Sequence, residues 1–351
     1  MTGGGSASAA LSPAQWRASG ESFAWRGHRV FYRAQGAGPP LLLLHGFPTS
    51  SWDWRHVWDP LAASHRVIAL DYIGFGFSDK PADGPYSVFA YADQADALLA
   101  RLGVARVHVL AHDLGDTVAQ ELLARDRERR APSATGGTSA GTASGTGSGS
   151  GTGTGADSGT GSGSGTGTGA GSGTSSGAAS GTLSSVCLLN GGLFPELHRP
   201  RPIQTLLDSP LGFLVARLSN RRRFAQGLAE VFGPATQPSQ AELDGFWECA
   251  SFAGGLANYH LLIRYMRERR RHRDRWVGPI LDTSPGSVPL AFINGHRDPV
   301  SGKHVVARLR ELRKPAEIYD LPEIGHYPQT EAPADVLGAY ASFRRGLATP
   351  A

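Results

Sequence analysis

Only two cysteines, Cys187 and Cys249, occur among the 351 residues. That is too few for a disulfide framework, so the fold must stand without oxidation. No stretch approaches the ~20 consecutive apolar residues of a membrane-spanning helix, and Met1 to Ala10 is small and polar, unlike a secretory signal. Neither a Walker loop, nor a G-x-G-x-x-G after a strand, nor an H-E-x-x-H helix is found, so no cofactor and no metal are expected. The string Gly74-Phe75-Gly76 lacks the third glycine of a dinucleotide loop and reads as the turn after a strand at Val67 to Leu70. With a net charge of only +4 and no nucleic-acid-binding motif, nucleic acid is not an expected partner.

Glycine is what the chain has in excess, 47 residues of it, and much of that excess lies in one place. From Ala131 to Thr182 the composition collapses to Gly, Ser, Thr and Ala, with almost no apolar surface to offset the entropy of ordering. A disordered surface insertion over 131–183 is expected there, since loop-closure entropy grows slowly with length. The remaining sequence divides into an N-terminal tail (1–20), a first core part (21–130), a core strand (184–192), a helical cap (193–280) and a second core part (281–351).

Strand and helix signals alternate through the core. A hairpin is expected around Gly27-His28, followed by helices at Trp52 to Ala62, Tyr86 to Leu102, Thr117 to Arg129 and Ala334 to Gly346, with apolar runs between them. Such alternation predicts an α/β protein with a mostly parallel, twisted sheet, helices on both faces, and the helical cap inserted after the sixth strand.

The most telling string is Ala111-His112-Asp113-Leu114-Gly115, which follows the apolar run Val107, Val109, Leu110 and precedes a helical pattern. A nucleophile elbow is a strained strand-to-helix turn that needs small residues two before and two after its central side chain, and Ala111 and Gly115 meet that need. Serine at such a centre takes an acyl group, whereas aspartate attacks an electrophilic carbon and becomes an alkyl ester. The plainer reading of Asp113 is a helix cap. Two further positions fall in the chain order nucleophile, acid, base: Asp298 after the strand-like Val288 to Ile293, and His326 after Ala316 to Leu321. In an open parallel sheet ligands sit at the carboxyl ends of strands, and all three candidates lie at such ends. The run Leu41-Leu42-Leu43-Leu44-His45-Gly46-Phe47-Pro48 supplies a strand ending in a tight turn, so that the backbone N–H groups of Phe47 and Leu114 form a candidate oxyanion hole. His45 is read as a residue that holds this loop together.

The strings His45-Gly46-Phe47-Pro48-Thr49-Ser50-Ser51-Trp52-Asp53-Trp54, Asp71-Tyr72-Ile73-Gly74-Phe75-Gly76-Phe77-Ser78-Asp79-Lys80-Pro81 and His112-Asp113-Leu114-Gly115-Asp116 resemble the epoxide hydrolase and haloalkane dehalogenase branch of the α/β-hydrolase superfamily. Longer strings, Cys187 to Pro200 and Arg275-Trp276-Val277-Gly278 among them, narrow the likeness to the mesoderm-specific transcript group. The resemblance implies Asp113 as nucleophile, His326 as base and Asp298 as its orienting acid, with Tyr259 or Tyr265 of the cap donating a proton to an epoxide oxygen. It implies a small hydrophobic, lipid-like substrate and an association with the endoplasmic reticulum membrane, although this chain shows no hydrophobic N-terminal segment. Two departures stand out. Leu114 replaces the tryptophan by which dehalogenases of this kind bind halide, and Asp116 places a second carboxyl near Asp113, where it is expected to favour the helix dipole yet raise the pKa of the nucleophile. A catalytically silent protein that binds lipid or a protein partner is the competing reading.

Arginines concentrate in the cap at 221–223 and at 267, 269, 270, 271, 273 and 275. They read either as a solvated helix face or as a surface for anionic lipid headgroups.

Overall fold

The computed structural model describes residues 10–130 and 182–348. All but the last two residues of the Gly/Ser/Thr-rich insertion assigned to 131–183, and the first nine residues, lie outside the described residues. The core is an eight-stranded sheet of β1 (Glu21–Trp25), β2 (His28–Gln35), β3 (Pro40–Leu44), β4 (Arg66–Leu70), β5 (Arg106–His112), β6 (Thr182–Leu189), β7 (Leu290–Gly295) and β8 (Glu317–Leu321), in the order β1-β2-β4-β3-β5-β6-β7-β8. β2 pairs antiparallel with β1 and with β4, and every later pairing is parallel. The β1–β2 hairpin turns on Arg26 and Gly27, both at positive φ (49° and 81°), as a two-residue turn matched to strand twist requires.

The strand chemistry follows from burial on both faces. Successive leucines of β3 alternate, Leu42 and Leu44 facing one apolar cluster and Leu41 and Leu43 the other. Helices α2 (Arg55–Ala62), α3 (Val88–Arg101) and α4 (Leu114–Arg130) cover the first half of the sheet. Between β6 and β7 the regular elements are all helical. α5 (Pro202–Leu207), α6 (Gly212–Arg217), α7 (Arg221–Ala229), α8 (Gln240–Ser251), α9 (Tyr259–Leu262), α10 (Tyr265–Arg271) and α11 (Arg273–Leu281) make up this cap. α12 (Lys303–Leu312), α13 (Pro328–Glu331) and α14 (Pro333–Ala348) complete the chain. Among the described residues no helix is long and apolar enough to cross a membrane.

Topology places the site. The chain runs from β3 outward to β4 and then crosses back to β5 on the other side of β3, and at such a switch point the loops after neighbouring strands diverge and leave a crevice. Leu44 of β3 stands in register with Ala111 of β5, so the loops beginning at His45 and at Asp113 flank one crevice.

One expectation fails at the N-terminus. Residues 13–18, read as part of a tail, form the first helix, α1 (Pro13–Ala18), started by a capping box between Ser12 and Gln15 with Pro13 in its first turn. Its Trp16 is fully buried, donates from Nε1 to Ser51 Oγ (3.0 Å), and meets Trp58 edge-on with ring centroids 4.9 Å apart. Trp16→Ala therefore should lower stability by about 3–5 kcal/mol, seen as an earlier denaturant midpoint. A shift too small to resolve would return this segment to the status of a tail.

Candidate active site

β5 delivers Asp113 into the crevice at φ 50°, a left-handed conformation that an aspartate tolerates only where its surroundings over-determine it. Those surroundings are glycines. A Cβ on Gly46 would stand 2.8 Å from Asp113 Cβ, and one on Gly115 would stand 2.2 Å from the Leu44 carbonyl oxygen. The elbow can close only because both positions lack a side chain. Asp113 is 5% exposed and accepts from the Phe47 N–H at Oδ2 (2.9 Å). Leu114 opens α4, so its N–H belongs to the first helical turn, whose donors the helix itself does not use.

The loop after β8 brings His326 opposite. Its Nδ1 lies 2.8 Å from Asp298 Oδ2; since a carboxylate only accepts, Nδ1 carries a proton and Nε2 faces Asp113, at 3.9 Å from Oδ1. That gap is too long for a direct bond and leaves room for a reacting atom between them. Burial alone would lower the basicity of His326, but Asp298, by charge and hydrogen bond, and then Asp113 outweigh it and hold its pKa up at about 9. Asp298 is itself fixed by three donors: His326, Asn190 Nδ2 (2.9 Å, to Oδ2) and the Val300 N–H (2.7 Å, to Oδ1). Although burial opposes it, these partners keep the Asp298 carboxyl below its usual range.

Asn190 was not singled out from the sequence, yet it spans the site, its Nδ2 on Asp298 and Gly295 O and its Oδ1 accepting from the Gly295 N–H (2.7 Å). It sits at φ 45° just beyond β6, and an asparagine before two glycines at a strand end was the available signal. His45 does hold its loop, with Nδ1 2.8 Å from Gly46 O and Nε2 3.3 Å from the Tyr72 N. Burial lowers its pKa to about 4, so it stays uncharged at neutral pH.

Asp116 departs from its expected part. It is fully buried and accepts from the Leu189 N–H at Oδ1 (3.3 Å). Burial first, and the Asp113 charge as well, push its pKa well above the carboxylate range. The neutral form is favoured, so it contributes little to the helix dipole and presses little like charge on Asp113. The two cap tyrosines separate. Tyr259 donates its hydroxyl to Pro48 O (2.7 Å). Among the described residues no such bond ties down Tyr265, whose ring centroid lies 6.1 Å from that of Phe47 and whose electrostatic neighbours are Asp113 and Arg269.

The arginines of the cap are not one solvated face. Arg275 pairs with Glu121 (2.7 Å) and Glu128, Arg273 with Glu196 (2.5 Å) and Arg267 with Asp208 (2.7 Å). Arg269 is 3% exposed, its guanidinium packed where Gly192 has no Cβ. A cavity of about 430 Å³ opens beside Asp113 and His326, walled by Phe47, Leu207, Val215, Phe224, Leu228 and Tyr259. Among the described residues no His, Cys, Asp and Glu cluster suited to a metal is present.

The model of the alpha/beta hydrolase fold family matches residues 39–136. The chain is 37% identical to the mesoderm-specific transcript homolog protein of Bos taurus, over 95% of this chain and 88% of that one. It is 35% identical to the putative hydrolase LipZ of Mycobacterium tuberculosis, over 91% of this chain and 93% of the relative. Among solved structures, the epoxide hydrolase CorEH matches with a TM-score of 0.66 at 18% identity, covering 93% of this chain and 99% of the other, which is a likeness of fold.

Because His326 has a pKa of about 9 here against ~6.5 for a free imidazole, its protonated form favours the folded state. That stabilisation is complete below the unfolded value and is lost as pH rises through 9. In Asp298→Asn the imidazole titration, followed by NMR, should fall to or below the ordinary value, and the loss of stability between those two pH values should flatten. An unchanged titration would remove Asp298 from this role.

Proposed function

From the premise that the chain belongs to the mesoderm-specific transcript family and has the α/β-hydrolase fold, we propose that it is a hydrolase of epoxide hydrolase type that works through a covalent ester on Asp113. The observation that carries this reading is the placement of one carboxylate between a backbone donor and a paired imidazole: Phe47 N–H on Oδ2 and His326 Nε2 facing Oδ1. Oδ1 is the attacking atom in this arrangement, and Oδ2 becomes the carbonyl oxygen of the ester.

In the first step Oδ1 attacks an epoxide carbon, the carbon–oxygen bond breaks, and the departing oxygen takes a proton from Tyr265. Forming the ester removes the Asp113 charge, which is one of the influences that keep His326 protonated. The base is thereby eased toward its neutral, active form. In the second step His326 Nε2 takes a proton from water, the hydroxide adds to the ester carboxyl carbon, and the Phe47 and Leu114 N–H groups hold the resulting oxyanion. Collapse expels the second alcohol, which takes the proton back from His326. The carboxyl proton returns to the Tyr265 phenolate. The sum is epoxide plus water to diol.

A cavity of this size falls among small-ligand sites, ~300–1,000 Å³, and its walls are mainly apolar, which suits a hydrophobic, lipid-derived epoxide. Leu114 has no side-chain donor and is fully buried, so nothing at that position assists a departing halide. Tyr259, its hydroxyl already engaged, serves better as a wall of the cavity than as the acid.

Single turnover with a panel of hydrophobic epoxides in oxygen-18 water should place label in the peptide that holds Asp113, and His326→Gln should accumulate the ester. Label absent across the panel, with no adduct in the variant, would assign the cavity to binding instead of turnover. In the same assay Tyr265→Phe should slow ester formation by about 10²–10⁴-fold, while Tyr259→Phe should cost far less. The reverse order would exchange their roles.

A further inference from the structure

Eight large apolar residues are strongly exposed among the described residues, and six of them, Ile203, Leu206, Leu211, Phe213, Leu214 and Leu218, fall within a single stretch of the cap. They belong to the α5–α6 hairpin. A Cβ on Gly212 would lie 1.9 Å from Leu207 O, so the two helices close tightly at the glycine and turn Leu207 and Ala216 into the core. The opposite side of the hairpin is left apolar and in water. Scattered exposed leucines need no explanation, but a contiguous group does.

Two further observations indicate what covers it. Ile203, Leu206 and Leu218 also line the cavity that reaches Asp113, so the patch is continuous with the cavity wall. Beside it stand Arg217, Arg222 and Arg223, all exposed and without an ion pair among the described residues. Three other arginines near the hairpin are paired within the cap: Arg201 with Glu230, Arg267 with Asp208, Arg221 with Asp244. An apolar face with an uncompensated basic flank fits the boundary between headgroups and acyl chains of an anionic lipid surface.

We propose that the α5–α6 hairpin docks on anionic phospholipid surfaces and opens the cavity directly into the acyl region, so that a hydrophobic substrate enters from lipid without crossing water. The apolar side chains supply insertion, and Arg217, Arg222 and Arg223 supply attraction to headgroups. The proposal deepens the hydrolase reading by naming where the substrate comes from. It is tested by binding alone, so it stands or falls apart from the chemistry at Asp113.

Co-sedimentation of the full chain with vesicles of equal parts phosphatidylcholine and phosphatidylserine, and with vesicles of phosphatidylcholine alone, provides the test. The wild type should sediment with the mixed vesicles, less with neutral ones, and less again as salt rises. Phe213→Ser/Leu214→Ser/Leu218→Ser should weaken binding by about tenfold or more, and Arg217→Glu/Arg222→Glu/Arg223→Glu should abolish the preference for phosphatidylserine. Leu312→Ser, an exposed leucine outside the cap, should bind as the wild type does, and thermal unfolding of every variant should match the parent. Failure of the wild type to bind, binding indifferent to both triple variants, or a dimer that only the serine variant dissociates would overturn the proposal, the last by giving the face to a second copy.

Discussion

A carboxylate buried at the end of a sheet loses several kcal/mol of solvation unless donors and a counter-charge replace the water, and the architecture around Asp113 meets that demand from separate parts of the chain. The loop after β3 gives the Phe47 N–H, the loop after β8 gives His326, and the loop after β7 gives Asp298 to hold the imidazole. Each group is a loop residue; the loops that carry Phe47 and Asp298 leave strands buried almost throughout, whereas the His326 loop leaves β8, a half-exposed strand at the edge of the sheet. The precision of the site is therefore borrowed from the sheet: the register of β3 on β5 and of β6 on β7 sets where the loops start.

Close approach imposes the second constraint. Four glycines lie against the groups of the candidate site and their supports, and each marks a different contact. Gly46 makes room for Asp113, Gly115 for the end of β3, Gly191 for Asp116 and Gly192 for Arg269. A methyl at Gly191 would meet Asp116 Oδ2 at 2.0 Å and one at Gly192 would meet the Arg269 guanidinium at 1.9 Å. The Asn190-Gly191-Gly192 turn thus acts as a hub: asparagine fixes Asp298, and the two glycines let the Asp116 carboxyl and the Arg269 guanidinium pack closely against the turn. Arg269, whose electrostatic neighbours include Tyr265 and Asp113, sets a buried positive charge near Asp113 from the cap.

What could be read from the sequence follows from the same division. β3 is apolar throughout because both faces are covered, and β5 is apolar at Val107 and from Val109 to Ala111, so both stand out in a linear string, and so do the elbow and the loop histidine. The capping box at Ser12 and Gln15 was equally local, but the ten small residues before it obscured the start of a helix whose Trp16 is core. Asn190 and Arg269 were hidden for a different reason. Neither is marked by periodicity, since an arginine among five others looks solvated until the tertiary fold closes over it. The separation of Tyr259 from Tyr265 also depends on the fold, through a hydroxyl bonded to the Pro48 carbonyl that no spacing reveals.

The cap is fastened to the core along one side and open on the other, and this asymmetry gives the site a direction. Glu268 accepts from the Val88 N–H (2.8 Å), Trp276 Nε1 donates to Glu121 (2.8 Å), and Arg55 reaches Glu242 (2.8 Å) while its guanidinium lies 3.8 Å from the ring centre of Trp52. These ties hold α8, α10 and α11 against the body of the protein. The ion pairs of the α5–α6 region, by contrast, stay within the cap, and its outer face is apolar. Ile203, Leu206 and Leu218 line the cavity that reaches Asp113, so on the proposal that substrate enters from lipid the untied side of the cap is its way in. On that proposal the helices tied to the core and the apolar face of α5–α6 are parts of one cap, the first covering Asp113 and the second admitting what reacts there.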